Sequence, residues 1–258
     1  MIKKIGLYDS GVGGLSVVSA VRKSLPQADL IYAADTYHVP YGGRPFEEIM
    51  AFSEGISRFL VSKGADAIII ACNVSSAVAA SSLRKIYSIP IFSMIEFGAK
   101  AAAAAAASSI GILATEGTVK SEAYPKNLRA LGFEGQIIQE ACPEFVPFVE
   151  SGAVNSSQCA EVCRKHCKAV AEADTIILGC THYPFLSHII KNILPCCKII
   201  DPAVSLADAL PKVCGSGSLK CWTTGTREKF EKSAGVFVSG ITAEELVWEG
   251  GELFEKNN

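Results

Sequence analysis

The sequence lacks the features that mark several common protein classes. No run of about 18 apolar residues occurs, so we expect no transmembrane helix. The start of the chain, MIKKIGLYDSG, contains only the short apolar stretch IGLY, which is not enough for a secretory signal. The formal net charge is −2 and there is no basic block, which argues against nucleic acid or a membrane surface as the main partner. We therefore expect a cytoplasmic protein, and an early first strand with no N-terminal regulatory extension before it.

Cysteine is abundant, but the spacing typical of cysteine-based sites is missing. The chain has ten cysteines in 258 residues and no CxxC pair, the unit on which zinc ribbons and thioredoxin-like sites are built. Because no secretory signal is present, we expect reduced thiols rather than a disulfide framework. Cys159, Cys163 and Cys167 would line one stripe of a helix, with His166 nearby. Such a stripe fits either a metal site or a packed face, and we favour the packed face and no metal.

Short apolar runs alternate with helix-forming segments along the chain. Because 49% of the residues are hydrophobic and 19% are charged, a sizeable core can form. Several runs are apolar on both faces, which predicts an α/β fold with mainly parallel sheets covered on both sides. A helix is expected at 45–64, between Pro45 and Gly64, and another in the alanine-rich segment 99–107. The expected strands are 4–9, 30–35, 67–72, 89–95, 109–115, 135–141, 175–180, 197–201 and 235–241.

The alternation divides into two Rossmann-like units. The first four strands form one set, and a helix-rich crossover at 96–108 leads to a second set. The tail holds a helix signal at 206–214 and at least one more strand, which we expect to return to the first unit. The predicted domains are therefore 1–96 plus 206–258, which is discontinuous, and 97–205. Since ligands bind beyond the carboxyl ends of strands in open α/β sheets, we expect the active site in the cleft between the domains.

Two predicted strands end on a cysteine that is followed by polar residues. The segment AIIIACNVSS places Cys72 before Asn73, and TIILGCTHYP places Cys180 before Thr181 and His182. A single cysteine at such a place is more often a small hydrophobic residue, but two at matching places can serve one reaction. A thiol near histidine or near the amides of a helix start shifts toward thiolate from an ordinary pKa of about 8.5. The pair is therefore a candidate for acid–base chemistry.

The segment LYDSGVGGLSV has the pattern of a strand, a glycine turn and a helix start. Asp9 and Ser10 lie at the strand end, and the glycine amides can bind an anion at the start of the helix. Asp35, after the next strand, resembles the ribose-binding acid of a dinucleotide fold, but Ser16 stands where GxGxxG needs its third glycine. A dinucleotide site, a plain turn and a carboxylate-binding turn all remain open, and we favour the last.

Two other loops carry candidate residues. The turn signal in DTYHVPYGGR contains Asp35, His38, Pro40 and Tyr41, and it fits either a functional loop or a surface connection. In ACPEFVPFVESG, Glu150 follows an apolar run. Taken alone, this glutamate is typical of a surface acid.

Six motifs together resemble the glutamate racemases, within the wider cofactor-independent aspartate/glutamate racemase superfamily. In chain order they are DSGVGGLSV, VPYGGR, ACNVSSA, TEGTVKSEAY, CPEFVPFVE and GCTHYP, and the match extends from Lys4 to about Leu210. The combination of DSGVGG, a Cys-Asn turn and GCTH is highly specific. The resemblance implies two α/β domains and racemisation of L-glutamate to D-glutamate for peptidoglycan. It also implies glutamate as the small-molecule partner, a homodimer, and neither cofactor nor metal.

The resemblance also implies roles for individual residues. Cys72 is implied as the base toward D-glutamate and Cys180 as the base toward L-glutamate. Asp9 would assist Cys72, His182 would assist Cys180, and Glu150 would lie near the second cysteine. The implied substrate-binding residues are Asp9, Ser10, Pro40, Tyr41, Gly42, Asn73, Val74, Thr115, Thr118, Thr181 and His182.

Val74 departs from the family pattern, which usually has threonine at this position. If the family uses the hydroxyl, affinity falls by about 0.5–1.5 kcal/mol, the contribution of a typical hydrogen bond. If it uses the backbone amide, little changes. Three alternatives stay open: a racemase or epimerase of the same superfamily acting on aspartate or diaminopimelate, a non-catalytic ligand-binding protein, and a dinucleotide-dependent oxidoreductase.

Overall fold

The computed structural model describes residues 2–105, 108–236 and 238–256. The strands in these ranges are β1 (Lys4–Asp9), β2 (Asp29–Ala34), β3 (Ala67–Ile70), β4 (Ile91–Ser93), β5 (Ser109–Ala114), β6 (Gln136–Ala141), β7 (Thr175–Gly179), β8 (Lys198–Ile200), β9 (Leu219–Thr223), β10 (Ala243–Glu249) and β11 (Glu252–Glu255). The α-helices are α1 (Leu15–Ser24), α2 (Phe46–Ser62), α3 (Asn73–Ile86), α4 (Met94–Ala104), α5 (Glu116–Ser121), α6 (Ala123–Ala130), α7 (Phe145–Glu150), α8 (Ser157–Cys167), α9 (Ser187–Ile193), α10 (Pro202–Ala209) and α11 (Arg227–Gly235). Short 3-10 turns lie at Lys168–Val170 and Tyr183–Leu186.

The strands form two sheets. The first has the order β11-β10-β9-β2-β1-β3-β4 and the second has the order β6-β5-β7-β8. Neighbouring strands are parallel in both sheets, except that β10 and β11 form an antiparallel pair. The predicted α/β class with mainly parallel sheets is confirmed.

Helices cover both faces of each sheet, which explains the continuous apolar runs of the central strands. In the first sheet, Leu7 of β1 packs with α1 and α10, while the next residue, Tyr8, packs on the other side with α2 and α3. In the second sheet, α7 and α8 cover one face, and α4 and α6 cover the other. No helix in the described ranges is both long and apolar enough to cross a bilayer.

The chain beyond residue 206 adds strands to the first sheet. Strand β9 pairs in parallel with β2, and β10 continues the sheet beside β9. The chain thus visits the first sheet, then the second, and then the first again. The predicted domain boundaries at 96 and 205 stay a prediction.

Two expectations for the tail are wrong. The strand expected at 235–241 does not form, since Gly235 ends α11 and residues 238–241 lie in turn and irregular structure; residue 237 lies outside the described residues. The helix signal at 206–214 ends earlier, at Ala209. Leu210 is extended (φ −64°, ψ 143°) because the following proline disfavours the helical conformation at the residue before it.

Candidate active site

Each sheet offers a crevice at the carboxyl ends of its central strands. In the first sheet β1 lies between β2 and β3, and in the second β5 lies between β6 and β7. The chain therefore leaves β1 toward one side of the sheet and β3 toward the other, and β5 and β7 differ in the same way. A ligand crevice opens between the two strands of each pair. Asp9 ends β1 and Cys72 follows β3, whereas Thr115 follows β5 and Cys180 follows β7.

A cavity of about 400 Å³ lies where the two crevices meet. Both cysteines line it, so the structure brings together the two motifs that the sequence places far apart. Two of the predicted site residues, Asp9 and Thr118, are buried and absent from the lining. The cavity is lined by Ser10, Val39, Pro40, Tyr41, Gly42, Gly43, Cys72, Asn73, Val74, Thr115, Glu116, Pro143, Val146, Pro147, Glu150, Gly179, Cys180, Thr181 and His182.

Cys180 is the first member of a chain of three side chains. Its Sγ lies 3.6 Å from Nδ1 of His182, and Nε2 of His182 lies 2.6 Å from Oε1 of Glu150. The thiol and the imidazole are buried, while the glutamate is partly open to solvent. Glu150 is thus part of the site, and its interpretation as an ordinary surface acid is wrong.

The position of His182 determines its protonation. Burial alone lowers the pKa of the imidazole, but hydrogen bonds to Cys180 and Glu150, together with their negative charges, outweigh burial and hold the pKa well above 6.5. His182 is therefore an imidazolium at neutral pH. It places positive charge 3.6 Å from the Cys180 sulfur.

Cys72 has a different environment. It is the N-cap residue of α3, immediately before Asn73, and it is a buried thiol. Burial raises its pKa to about 12, and the nearby charge of Asp9 acts in the same direction. Hydrogen bonding with Ser75, three residues further along, acts against this rise. Cys72 is therefore a neutral thiol near neutral pH.

Asp9 lies behind the cavity lining, inside the glycine turn. Its Oδ2 accepts hydrogen bonds from the amides of Gly11 (3.2 Å) and Gly14 (3.0 Å), and its Oδ1 accepts one from Oγ1 of Thr181 (3.2 Å). Burial raises the pKa of Asp9, whereas His182 and these donors oppose the rise. Two amides of the turn bind the carboxylate of Asp9 rather than that of a ligand, so the expected role of the turn in ligand binding stays a prediction.

Gly13 of the same turn is needed because His182 lies against it. A Cβ atom at this position would lie 2.5 Å from Nδ1 of His182 and 2.6 Å from Oγ1 of Thr181. The close approach lets the backbone of the first half support the imidazole of the second half. Oγ of Ser16 also donates to the carbonyl of Thr181 (3.0 Å), so the turn of the first half contacts the Thr181–His182 segment at two points.

The other predicted binding residues occupy both sides of the cavity. On the first side, Oδ1 of Asn73 accepts a hydrogen bond from the hydroxyl of Tyr124 (2.7 Å), which fixes the orientation of the amide. Val74 is buried in the lining beside it. On the other side, the hydroxyls of Thr115 and Thr118 are 3.0 Å apart, so Thr118 supports Thr115 from behind.

The loop of residues 39–43, the rim loop, closes one end of the cavity. It contains Pro40, Tyr41 and Gly42 among the lining residues. The carbonyl of Gly42 accepts a hydrogen bond from the amide of Gly117 (2.7 Å) at the start of α5. The rim loop therefore joins the two halves of the molecule across the cavity.

Several lining residues were not among the predicted ones. Glu116, Pro143, Val146 and Pro147 line the cavity, and Tyr124 supports Asn73 from outside it. All five lie inside the motifs TEGTVKSEAY and CPEFVPFVE. The motifs identified the segments, but residue type alone gave no reason to select these members of them.

Two alternative interpretations of the sequence do not fit the structure. The side chain of Asp35 is fully buried and bonded within the protein, so the ribose-binding role considered for it is wrong. The stripe of Cys159, Cys163 and Cys167 packs in the apolar core of the second sheet. His166 instead contacts two carboxylates, those of Glu140 and Glu144.

Comparison with known proteins agrees with this geometry. A family model described as Asp/Glu/Hydantoin racemase matches residues 15–210. The chain is 44% identical to the glutamate racemase of Desulforudis audaxviator over 209 residues, which cover 80% of this chain and 77% of the relative.

Two solved structures share the fold. The glutamate racemase isoform RacE1 from Bacillus anthracis aligns with a TM-score of 0.89 at 30% identity, covering 97% of this chain and 98% of the other. The Francisella tularensis glutamate racemase in complex with D-glutamate aligns with a TM-score of 0.86 at 28% identity, covering 94% and 97%. The chain thus belongs to the Asp/Glu/Hydantoin racemase family and is an isomerase.

Proposed function

We propose that this protein interconverts L-glutamate and D-glutamate without a cofactor, using Cys72 and Cys180 as the two acid–base groups. The observation that carries the proposal is the pair of buried thiols, one from each sheet, that line a single cavity. The relatives named glutamate racemase, one of them solved with D-glutamate, support glutamate as the substrate.

The different environments of the two thiols suit a two-base mechanism. One base can return a proton only to the face from which it came, whereas two groups on opposite faces invert the centre directly. Cys180, which lies beside His182, acts as the base that removes the α-proton of L-glutamate. Cys72 starts as the thiol and delivers its proton to the other face. The reverse direction exchanges the roles, and Asp9 then assists Cys72.

Removal of the α-proton leaves an enolate-like carboxylate, which needs fixed hydrogen-bond donors. The amides at the start of α3 lie next to Cys72 and are suited to this charge. Ser10 and Asn73 add side-chain donors, whereas Thr181, whose hydroxyl donates to Asp9, offers its backbone amide. In the proposed role, Pro40, Tyr41, Gly42 and Thr115 bind the remainder of the substrate.

We further propose that the product supplies D-glutamate for peptidoglycan and that the protein is a homodimer. Both follow from the resemblance to the glutamate racemases. Sedimentation equilibrium tests the assembly, because a homodimer has twice the 27.3 kDa mass of the chain. A single species of 27.3 kDa at micromolar concentration would exclude the dimer.

Proton NMR in D₂O tests the reaction. The purified protein is incubated with L-glutamate and no added cofactor, and the products are separated by chiral chromatography. Loss of the α-proton signal with growth of D-glutamate is the expected result, and Cys72→Ser and Cys180→Ser should each abolish it. If the protein exchanges the α-proton of aspartate or diaminopimelate but not that of glutamate, the proposed mechanism stands and the proposed substrate is wrong. Absence of exchange with all three would overturn the proposal.

A further inference from the structure

We propose that Asp35 is a positioning residue, which holds the rim loop in place and ties it to β10 through Trp248. This inference rests on the proposed function, because it concerns the loop to which we assign part of the glutamate site. Asp35 does not line the cavity and therefore acts through other residues.

The carboxylate of Asp35 accepts four side-chain hydrogen bonds. On the side of the loop, Oδ2 accepts from the hydroxyl of Tyr41 (2.6 Å) and lies 2.8 Å from Nδ1 of His38. On the side of the C-terminal strands, Oδ1 accepts from Oγ1 of Thr224 (2.7 Å) and from Nε1 of Trp248 (2.9 Å). One buried group thus joins two segments about 200 residues apart in the chain, each through two donors.

The surroundings keep this carboxylate ionised and fixed. Burial raises the pKa of Asp35, but the four donors outweigh burial and lower the pKa. The side chain is fully buried, so water cannot replace a lost donor without rearrangement. Charge-assisted bonds in such a site are stronger than neutral bonds, and they hold Tyr41 in one position.

The base of the loop has further attachments to the same strands. The amide of Tyr37 donates to Oγ1 of Thr224 (3.0 Å), and the amide of Gly225 donates to Oγ1 of Thr36 (2.9 Å). Trp248 itself is held against α2, where a Cβ on Gly55 would lie 2.6 Å from its ring. The first sheet therefore holds the base of the rim loop through several hydrogen bonds, in addition to the contact between Gly42 and Gly117.

The matched pair Trp248→Phe and Trp222→Phe tests the role. These are the two tryptophans of the chain, and both lie in the first sheet. Nε1 of Trp222 donates to Glu244 and Glu255 rather than to Asp35. Loss of one bond to a charged group should raise KM for glutamate about tenfold in Trp248→Phe, while kcat changes less than about twofold, because the thiols are untouched. Trp222→Phe should leave both constants unchanged.

Hydrogen exchange of the rim loop gives a readout that needs no substrate. Amides in residues 39–43 should exchange faster in Trp248→Phe than in Trp222→Phe, at equal thermal stability. Thr224→Val should reproduce the effect and Thr224→Ser should restore it, which keeps the test valid if Trp248→Phe fails to fold. Unchanged exchange, or faster exchange with an unchanged KM, would overturn the positioning role. Faster exchange in a protein that does not racemise glutamate would refute the proposed function and leave the attachment by Asp35 standing.

Discussion

At the residue scale, the charge of the site is organised around His182. The imidazole contacts Cys180 through one nitrogen and Glu150 through the other, and its charge also acts on Asp9. The two thiols differ in their surroundings. Cys180 has His182 beside it, whereas burial, and after it the charge of Asp9, raises the pKa of Cys72.

Glu150→Gln should weaken this arrangement without removing a thiol. Loss of the carboxylate lowers the pKa of His182, so the imidazolium is lost at a lower pH and the alkaline limb of kcat/KM moves to lower pH. On the alkaline side of the profile we expect a loss of about tenfold, smaller than the loss of a catalytic base itself. Histidine NMR and pH–rate profiles measure both effects.

Glu144→Gln provides the matched control for this change. Glu144 precedes the same helix, α7, but contacts Lys165 and His166 instead of the cavity. Its variant should keep the pH profile of the unmodified protein. An equal shift in both variants would show that the effect is not specific to His182.

Val74→Thr tests the one departure from the family pattern. The side chain lines the cavity, and threonine has the same branched shape, so the fold should tolerate the change. If the added hydroxyl binds the substrate, KM for glutamate should fall by about twofold to tenfold, which corresponds to one hydrogen bond. Steady-state kinetics with glutamate and aspartate measure the change. An unchanged KM would mean that the backbone amide suffices.

At the element scale, the β1–α1 turn and helix α8 show two uses of small residues. In the turn, Gly13 allows the backbone to touch His182. In α8, small thiols fill one face of the helix against the second sheet. The first use positions a functional group, and the second fills a core.

Gly13→Ala should damage the site while the fold persists. The new methyl group would displace the imidazole or the turn, so we expect kcat to fall by about tenfold or more, since an error of about 1 Å is costly in catalysis. Gly235→Ala is the control, because a Cβ added there would meet no atom of the described residues within 4 Å beyond its own helix and chain neighbours. Comparable losses in both variants would count against the close approach as the cause.

Cys163→Ser should lower stability and leave racemisation unchanged. The residue is fully buried in the core, and an unpaired hydroxyl there costs about 1–3 kcal/mol of unfolding free energy. Cys196 is exposed, so Cys196→Ser should have no effect. Urea unfolding measures stability, and incubation with a chelator checks that no metal contributes. If the chelator removes a metal ion and activity falls in proportion to the metal removed, the packing role of this cysteine stripe is contradicted.

At the scale of the whole molecule, the cavity lies between the two sheets and is bridged by a few contacts. The Gly42–Gly117, Ser16–Thr181 and Thr181–Asp9 hydrogen bonds are examples. A ligand bound between the halves adds further contacts to both. Substrate binding should therefore couple to stability and to the relative position of the halves.

Glutamate should stabilise the protein by about 2.7 kcal/mol at a concentration of about 100 times its Kd, as expected for a ligand that binds only the folded state. Glutamine, which lacks the second carboxylate, should stabilise it much less. Chemical unfolding with each amino acid measures the difference. Small-angle scattering should also show a smaller radius of gyration with glutamate, and an unchanged profile would exclude closure over the substrate.

Local pattern was sufficient for much of the fold. β1 matches its predicted bounds, and β3, β5 and β7 begin where expected, because buried parallel strands are continuous apolar runs bounded by turn residues. β9, β10 and β11 lie outside the predicted strands. The segment of β10, AEELVWE, mixes charged and apolar residues, and only Ala243 and Leu246 are buried, one on each face of the sheet. The opposite error occurs at 235–241, where an apolar run predicted a strand that does not form in the described residues.

The sequence by itself determined which side chains follow which strands, and with them the two thiols. Only the tertiary structure decided what those side chains contact. Glu150 contacts His182, and Asp9 accepts hydrogen bonds from amides of its own turn. Asp35 accepts hydrogen bonds from Thr224 and Trp248. The physical reason is that local structure depends on neighbours in the chain, whereas these contacts depend on how two sheets and their helices pack.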